Sequence, residues 1–393
     1  MNLLEHTQRI EEQLIAWRRD LHQHPELGFE EVRTATLVAD TLRSFGIAVQ
    51  TQVGKTGVIG TLGSGHPVIG IRADMDALPI QEANDVPYAS ATPGVMHACG
   101  HDAHTAMLLG VARVLSELPD RPPGTVRFLF QPCEEKQDAD GLSGASRMIS
   151  DHALAGVDAV IALHIASEAP TGIVIIDDGP IHAAADAFEA VITGKGGHGA
   201  YPHQGLDPIY LLGLVIQAIY GIRSRRIDPT QPAVISIGSI HTGTASNVIP
   251  DEVRLNGTIR SLSDDIRAQL HTELEHACAI VRPLGGDYQL TIQRGYPPLH
   301  NDATIAGAIR AASGEIVGAE RTIRYGFSMG AEDFAYMTRT VPGAMCFVGA
   351  QIGTDMRPHH SPIFNIDENA LKIGAAVLAQ SAVRLLTQLA GQS

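Results

Sequence analysis

Val126-Arg127-Phe128-Leu129-Phe130-Gln131-Pro132-Cys133-Glu134-Glu135 is an apolar run of strand character that passes a proline and a cysteine and ends in two adjacent carboxylates. The run predicts a buried strand, and the bare acidic pair lies where a solvated surface pair is least expected. Two other runs repeat the pattern. Val68-Ile69-Gly70-Ile71 is followed by Asp74 and Asp76, and Ala159-Val160-Ile161-Ala162-Leu163 by His164. Helical stretches alternate with them. Ile10, Leu14, Trp17 and Leu21 mark a helix over 7–24, stopped by Pro25 and Gly28; a second fits 30–45, ended by Gly46; a third, rich in Ala, Leu and Met, runs over 103–118. This alternation predicts an α/β sheet with helices on both faces. Open α/β sheets bind ligands beyond the carboxyl ends of their strands, so three strand ends bearing polar donors predict one convergent site.

The middle of the chain reads differently. Strands over 188–193, 233–240, 252–259 and 288–294 and helices over 208–223 and 263–281 follow the β-α-β-β-α-β order of a ferredoxin-like domain. The fold class expected is therefore α/β with an inserted α+β lid: residues 1–183 and 299–393 form a catalytic domain and 184–298 the insert. After the insert the α/β pattern resumes with a helix over 302–317, a strand over 344–349 and a closing helix over 368–389. Gly194-Lys195-Gly196-Gly197 matches neither a P-loop nor a dinucleotide fingerprint.

Composition narrows the function. At 44% hydrophobic and 18% charged residues the chain is globular, not disordered. A formal net charge of -15 argues against nucleic acid and anionic membrane as partners. Four cysteines among 393 residues are too few for a disulfide framework and suit a reducing compartment. Met1 to Glu12 carries three glutamates and no apolar signal core, and the apolar stretch 208–222 is shorter than the roughly 20 residues a bilayer requires. A soluble cytoplasmic protein is expected.

The chemistry centres on His97-Ala98-Cys99-Gly100-His101-Asp102. A thiolate and an imidazole two residues apart can grip one metal ion or two neighbouring ones. Alone, Cys99 and His101 would be read as a buried cysteine beside a satisfied histidine; His97, Asp102 and His104 around them point to a ligand cluster, with Asp102 able to orient an imidazole. Glu134 and Glu135 can divide ligation and proton transfer between them. His164 and His360 gain weight only from this company. In the insert, His198 is a donor that could reach substrate, Asn247 is a further polar candidate, and Arg260 suits a substrate carboxylate through its paired donors. His22 and His24 resemble a ligand pair, but no carboxylate partner is placed by the sequence, and both are read as structural.

Together these segments resemble the hippurate hydrolase, N-acetyl amino acid deacetylase and auxin-conjugate hydrolase branch of the aminoacylase and carboxypeptidase metallopeptidase superfamily. The resemblance rests on Arg18-Arg19-Asp20-Leu21-His22-Gln23-His24-Pro25-Glu26-Leu27, Arg72-Ala73-Asp74-Met75-Asp76-Ala77-Leu78-Pro79 and the His97 to Asp102 run. It continues through Gln131 to Glu135, Ala162-Leu163-His164, Gly196-Gly197-His198, Ala245 to Pro250, Gly330 to Phe334 and His360-Ser361-Pro362. It implies two divalent metals (manganese, zinc, cobalt or nickel) held by Cys99, His101, Glu135, His164 and His360. It implies Glu134 as general base toward a metal-activated water, and His198 and Asn247 near the scissile carbonyl, with His198 able to serve the other subunit's site. Arg260 would hold the free carboxylate of an N-acyl amino acid. It further implies a homodimer or higher homo-oligomer formed through the lid. The chain departs from the family in Cys133 and in the polar loop Lys136 to Gly141. Rival readings are a di- or aminopeptidase on the same scaffold, a non-catalytic metal-binding protein, and a thiol redox protein using Cys99, which would require Cys133 within about 6–7 Å between Cα atoms.

Overall fold

The computed structural model describes residues 3–391, which form two compact units. The first comprises Met1–Gly179, His300–Gly326 and Asp333–Ser393; the second comprises Pro180–Leu299 and Phe327–Glu332. The short return segment 327–332, which the sequence reading assigned to the catalytic part, goes with the second unit through backbone hydrogen bonds. The Ser328 N–H donates to Ile181 O (2.8 Å) and the Ala183 N–H to Gly330 O (2.9 Å).

The first unit is built on an eight-stranded mixed sheet. At its centre Gly124–Gln131, Val68–Asp74, Ala159–Pro170 and Gly343–Gln351 lie side by side, all parallel. Every residue of Val68–Asp74 is buried, as a parallel strand covered on both faces must be. Helices His101–Glu117 and Asn369–Ala390 pack on each other and contribute Met107, Leu108, Val111, Leu371, Val377 and Leu385 to one continuous core. Each such side chain contributes roughly 1.5–3 kcal/mol of burial. Asn369–Ala390 is long and apolar enough, by length and composition, to cross a membrane, but here it is a core helix.

Three expectations are corrected. The helix expected over 7–24 is broken at Arg9–Ile10 into Leu4–Gln8 and Glu11–Gln23. Two antiparallel strands, Ala48–Val53 and Gly57–Ser64, precede the first expected strand. His164 does not follow its strand: Ala159–Pro170 continues six residues beyond it. The ladder to Val68–Asp74 nonetheless stops at Arg72 opposite Ala162, two residues before Asp74 and His164, so both lie at the same edge.

In the second unit, the strands Ala184–Thr193, Ala233–His241, Glu252–Ser261 and Asp287–Arg294 form an antiparallel sheet. With the strands numbered in chain order its spatial order is second-third-first-fourth, the ferredoxin-like arrangement. Helices Pro208–Arg225 and Asp264–Ala279 bury Leu211, Val215, Ile219, Leu270 and Leu274 against it. The helix read as buried over 208–222 is amphipathic, with Ile209, Tyr210 and Tyr220 exposed. On the strand Ala184–Thr193, Asp186 is enclosed by the Arg267 guanidinium (Nε 2.9 Å), His271 Nε2 (2.6 Å) and the Gly295 N–H (3.0 Å).

Candidate metal centre

Because three of the central strands run parallel, their carboxyl ends deliver side chains to one edge of the sheet. Asp74 and Asp76 leave the first, Glu134 and Glu135 the second, and His164 sits on the third, while His101 opens the helix His101–Glu117. The five residues expected as ligands fall into two triplets that share Cys99. Cys99, His101 and His164 form one and Cys99, Glu135 and His360 the other; within each, the ligand atoms lie within 4.8 Å of one another. A third set joins His101 and Glu135 to Glu134.

The polar atoms of these residues are arranged for a cation. His164 donates from Nδ1 to the Ile165 carbonyl (2.7 Å) and turns Nε2 to Cys99 Sγ (3.6 Å), so the ring offers a lone pair inward. His101 donates from Nδ1 to Asp76 (3.1 Å), and its Nε2 is buried without a hydrogen-bond partner. Glu135 Oε1 is likewise buried, with His360 Nε2 3.2 Å away and His101 Nε2 4.0 Å away. Buried polar atoms are rarely left unpaired, and this convergence fits a divalent ion. Burial, then the Glu135 charge, push the Cys99 thiol above its ordinary value, whereas donation from its ring to the Cys99 sulfur and then to Glu135 raises His360 to about 10. Burial and the neighbouring His104 and His359 hold His164 well below the normal imidazole range, so it stays a neutral donor.

Two nearby groups have other neighbours. Asp74 is engaged by Arg72 Nη1 (2.7 Å) and by His104 Nδ1 (2.6 Å), whose Nε2 accepts from the Ile165 N–H; the Asp74, His101 and His104 grouping already contains a guanidinium charge. His359 meets His164 edge-on and lies tilted against Phe364, with ring centroids 5.3 and 5.0 Å apart, while its neighbour His360 joins Cys99 and Glu135. All four cysteines are free thiols.

The supporting residues were only partly visible in the sequence. Asp76 carries two loads, accepting from His101 Nδ1 through Oδ1 and from the Glu135 N–H (3.0 Å) through Oδ2. Changing it to asparagine turns an N–H donor toward the Glu135 N–H. The Asp76→Asn protein is expected to bind divalent metal about 10–100-fold more weakly while folding normally, as read by metal titration against circular dichroism. His22, read as lacking a carboxylate, has two: its Nδ1 donates to Asp102 (2.8 Å) and its Nε2 lies 3.2 Å from Glu82. Arg18 Nε also donates to Asp102 (2.8 Å), so Asp102 ties the start of the His101 helix to the first long helix. The signal available was the i, i+4 spacing of Arg18 and His22 in a charged helix.

His198, Asn247 and Arg260 belong to the second unit. His198 pairs with Val248 in a two-residue ladder and accepts from the Ala200 N–H at Nδ1 (3.0 Å), leaving Nε2 outward; the Gly199 N–H donates to the Asn247 carbonyl (2.8 Å). Arg260 is half-buried and donates to Thr258 Oγ1 and to its neighbour's carbonyl, Ile259 O (3.1 Å).

Thiol, imidazole and carboxylate donors gathered at the carboxyl edge of a parallel sheet, with buried ligand atoms left open, define a metal-dependent hydrolase. Comparison with known proteins narrows the class: the chain belongs to peptidase family M20/M25/M40, whose model matches residues 70–384. It is 41% identical over 385 residues to thermostable carboxypeptidase 2 of Saccharolobus solfataricus, covering 95% of this chain and 96% of that one. It is 40% identical over 383 residues to the N-acetyl-L-cysteine deacetylase of Bacillus subtilis, covering 96% and 89%. The crystal structure of the Bacillus subtilis YXEP protein, described as a dinuclear metal-binding peptidase of family M20, superposes with a TM-score of 0.83 at 34% identity, covering 97% of this chain and 99% of that one. The protein is an enzyme of the amidohydrolase and metallopeptidase type.

Proposed function

We propose that this enzyme hydrolyses the amide bond of N-acyl amino acids, using two divalent cations. One would be held by Cys99, His101 and His164, the other by Cys99, Glu135 and His360. The observation that carries this reading is the convergence of buried ligand atoms, His101 Nε2 and Glu135 Oε1 among them, in two triplets that share one thiol. Bound cations would make water a stronger acid and polarise an amide carbonyl. Glu134, buried beside the ligand cluster with Oε1 3.4 Å from the Asp333 N–H, accepts the proton of the attacking water and returns it to the departing amine. His198 and Asn247 supply donors to the scissile carbonyl, and Arg260, a half-buried guanidinium with no ion pair to a carboxylate among the described residues, takes the substrate's free carboxylate. A second copy of the chain pairs through the 184–298 insert, and the free thiols suit a cytoplasmic setting.

The N-acyl class is preferred over a peptidase by the deacetylase relative; the carboxypeptidase relative keeps dipeptides in the test. Amine release is measured from N-acetyl and N-benzoyl amino acids and dipeptides, with metal-stripped protein before and after adding manganese or zinc. Metal-restored release from acyl amino acids is expected. Release from dipeptides alone reassigns the enzyme as a peptidase, and no release with metal bound removes the catalytic reading.

A further inference from the structure

Cys133, which directly precedes the acidic pair, sits at φ 46°, a left-handed conformation rare for a residue with a side chain. Such a conformation persists only where its surroundings over-determine it. Here they do so from several sides. Glu31, wholly buried, accepts the Cys133 N–H through Oε1 (2.8 Å) and the Thr56 hydroxyl through Oε2 (2.5 Å). The Gly144 N–H donates to the Cys133 carbonyl (2.8 Å), and Cys133 Sγ donates to the Lys136 carbonyl (3.4 Å). Two close approaches leave no room for side chains: a Cβ on Gly28 would lie 2.6 Å from Cys133 Sγ, and one on Gly144 1.5 Å from the Pro132 carbonyl oxygen. Of the groups holding this turn, Glu31 is the one buried carboxylate that reaches the Cys133 N–H, and it comes from the far side of the unit in sequence.

We propose that Glu31 is a positioning residue for Glu134: its carboxylate buckles the Cys133 N–H to Thr56 and so sets where the base sits. The inference rests on Glu134 acting as the base. Removing the buckle frees Cys133 to relax toward ordinary backbone angles, which rotates the residue that follows it. A displacement of about 1 Å at a reacting group costs up to roughly 100-fold in rate.

The test uses full-length, metal-loaded Glu31→Ala and Glu31→Gln proteins, with crystal structures and steady-state kinetics. In Glu31→Ala, Cys133 is expected to leave the left-handed region and the Glu134 carboxylate to shift, while Cys99, His101 and His164 stay in place. The kcat should fall about 10–100-fold, with KM within about twofold and metal content unchanged. Glu31→Gln should recover most of the loss, because its carbonyl still accepts from Cys133. An unmoved turn, a wild-type kcat, or a kcat that merely tracks lost metal overturns the proposal. Should Glu31→Ala fail to fold, Glu31→Asp, too short to span both partners, is judged by the same criteria. If the wild type cleaves no amide at all, the function proposed above fails, while the coordinates of the turn still decide this inference.

Discussion

Replacing Glu134 by glutamine is expected to lower kcat by about 10²–10⁴-fold while leaving metal content unchanged. Glutamine matches glutamate in shape and its carbonyl can still accept from the Asp333 N–H, so the local packing is preserved. What it loses is the ability to take a proton from water. Glu134 lies outside both triplets that share Cys99, so those donors remain complete. Atomic absorption on the dialysed variant, set beside its turnover, separates the two roles. Retained turnover would remove Glu134 from the base position, and loss of metal in step with activity would make it a ligand.

The second large effect concerns stability. Asp186→Ala strips the carboxylate from Arg267 and leaves a guanidinium that is itself almost wholly buried in the second unit. Breaking such a pair costs about 3–5 kcal/mol. Burial alone would raise the Asp186 carboxyl, but hydrogen bonds from Arg267 and then His271 outweigh it and hold the group well below the usual carboxylate range. A depressed folded-state value stabilises above the unfolded-state value, about 3.9, and that contribution fades as pH falls toward the folded-state value. Urea unfolding should therefore show a constant gap between wild type and variant from neutral pH down to about pH 4, narrowing below it. A gap that widens on acidification would contradict this account of the pair.

How far the site could be read in the sequence follows from what kind of information each part needed. Most of the ligand candidates were visible in local sequence: Glu134 and Glu135 after an apolar strand, Cys99 and His101 two residues apart among further histidines, His360 before Ser361-Pro362. The insert was visible through its change of strand and helix order. The two leading strands were not, because Ala48–Val53 is mostly exposed and polar and carries no core pattern. The tasks of Asp76, His22 and Glu31 were invisible for another reason. Each acts on a partner far away in sequence, and beyond the i, i+4 spacing of Arg18 and His22 no local pattern pointed to those partners; a buried carboxylate is informative only once its hydrogen bonds are known. The polar loop Lys136 to Gly141 is also held by pairing: Asp138 draws in Lys55 (2.6 Å), Arg147 (2.8 Å) and the Leu142 N–H (3.1 Å).

The discontinuity of the first unit bears on how the chain is made. During synthesis, domains generally fold as their residues emerge. A nascent chain that has reached Leu299 already holds all four strands and both helices of the ferredoxin-like sheet, yet it lacks Gly343–Gln351, the partner of the His164 strand, and lacks His360. The intervening unit can complete its core on the ribosome, while the candidate metal donors translated first wait, with one strand edge unpaired, for the last part of the polypeptide to arrive.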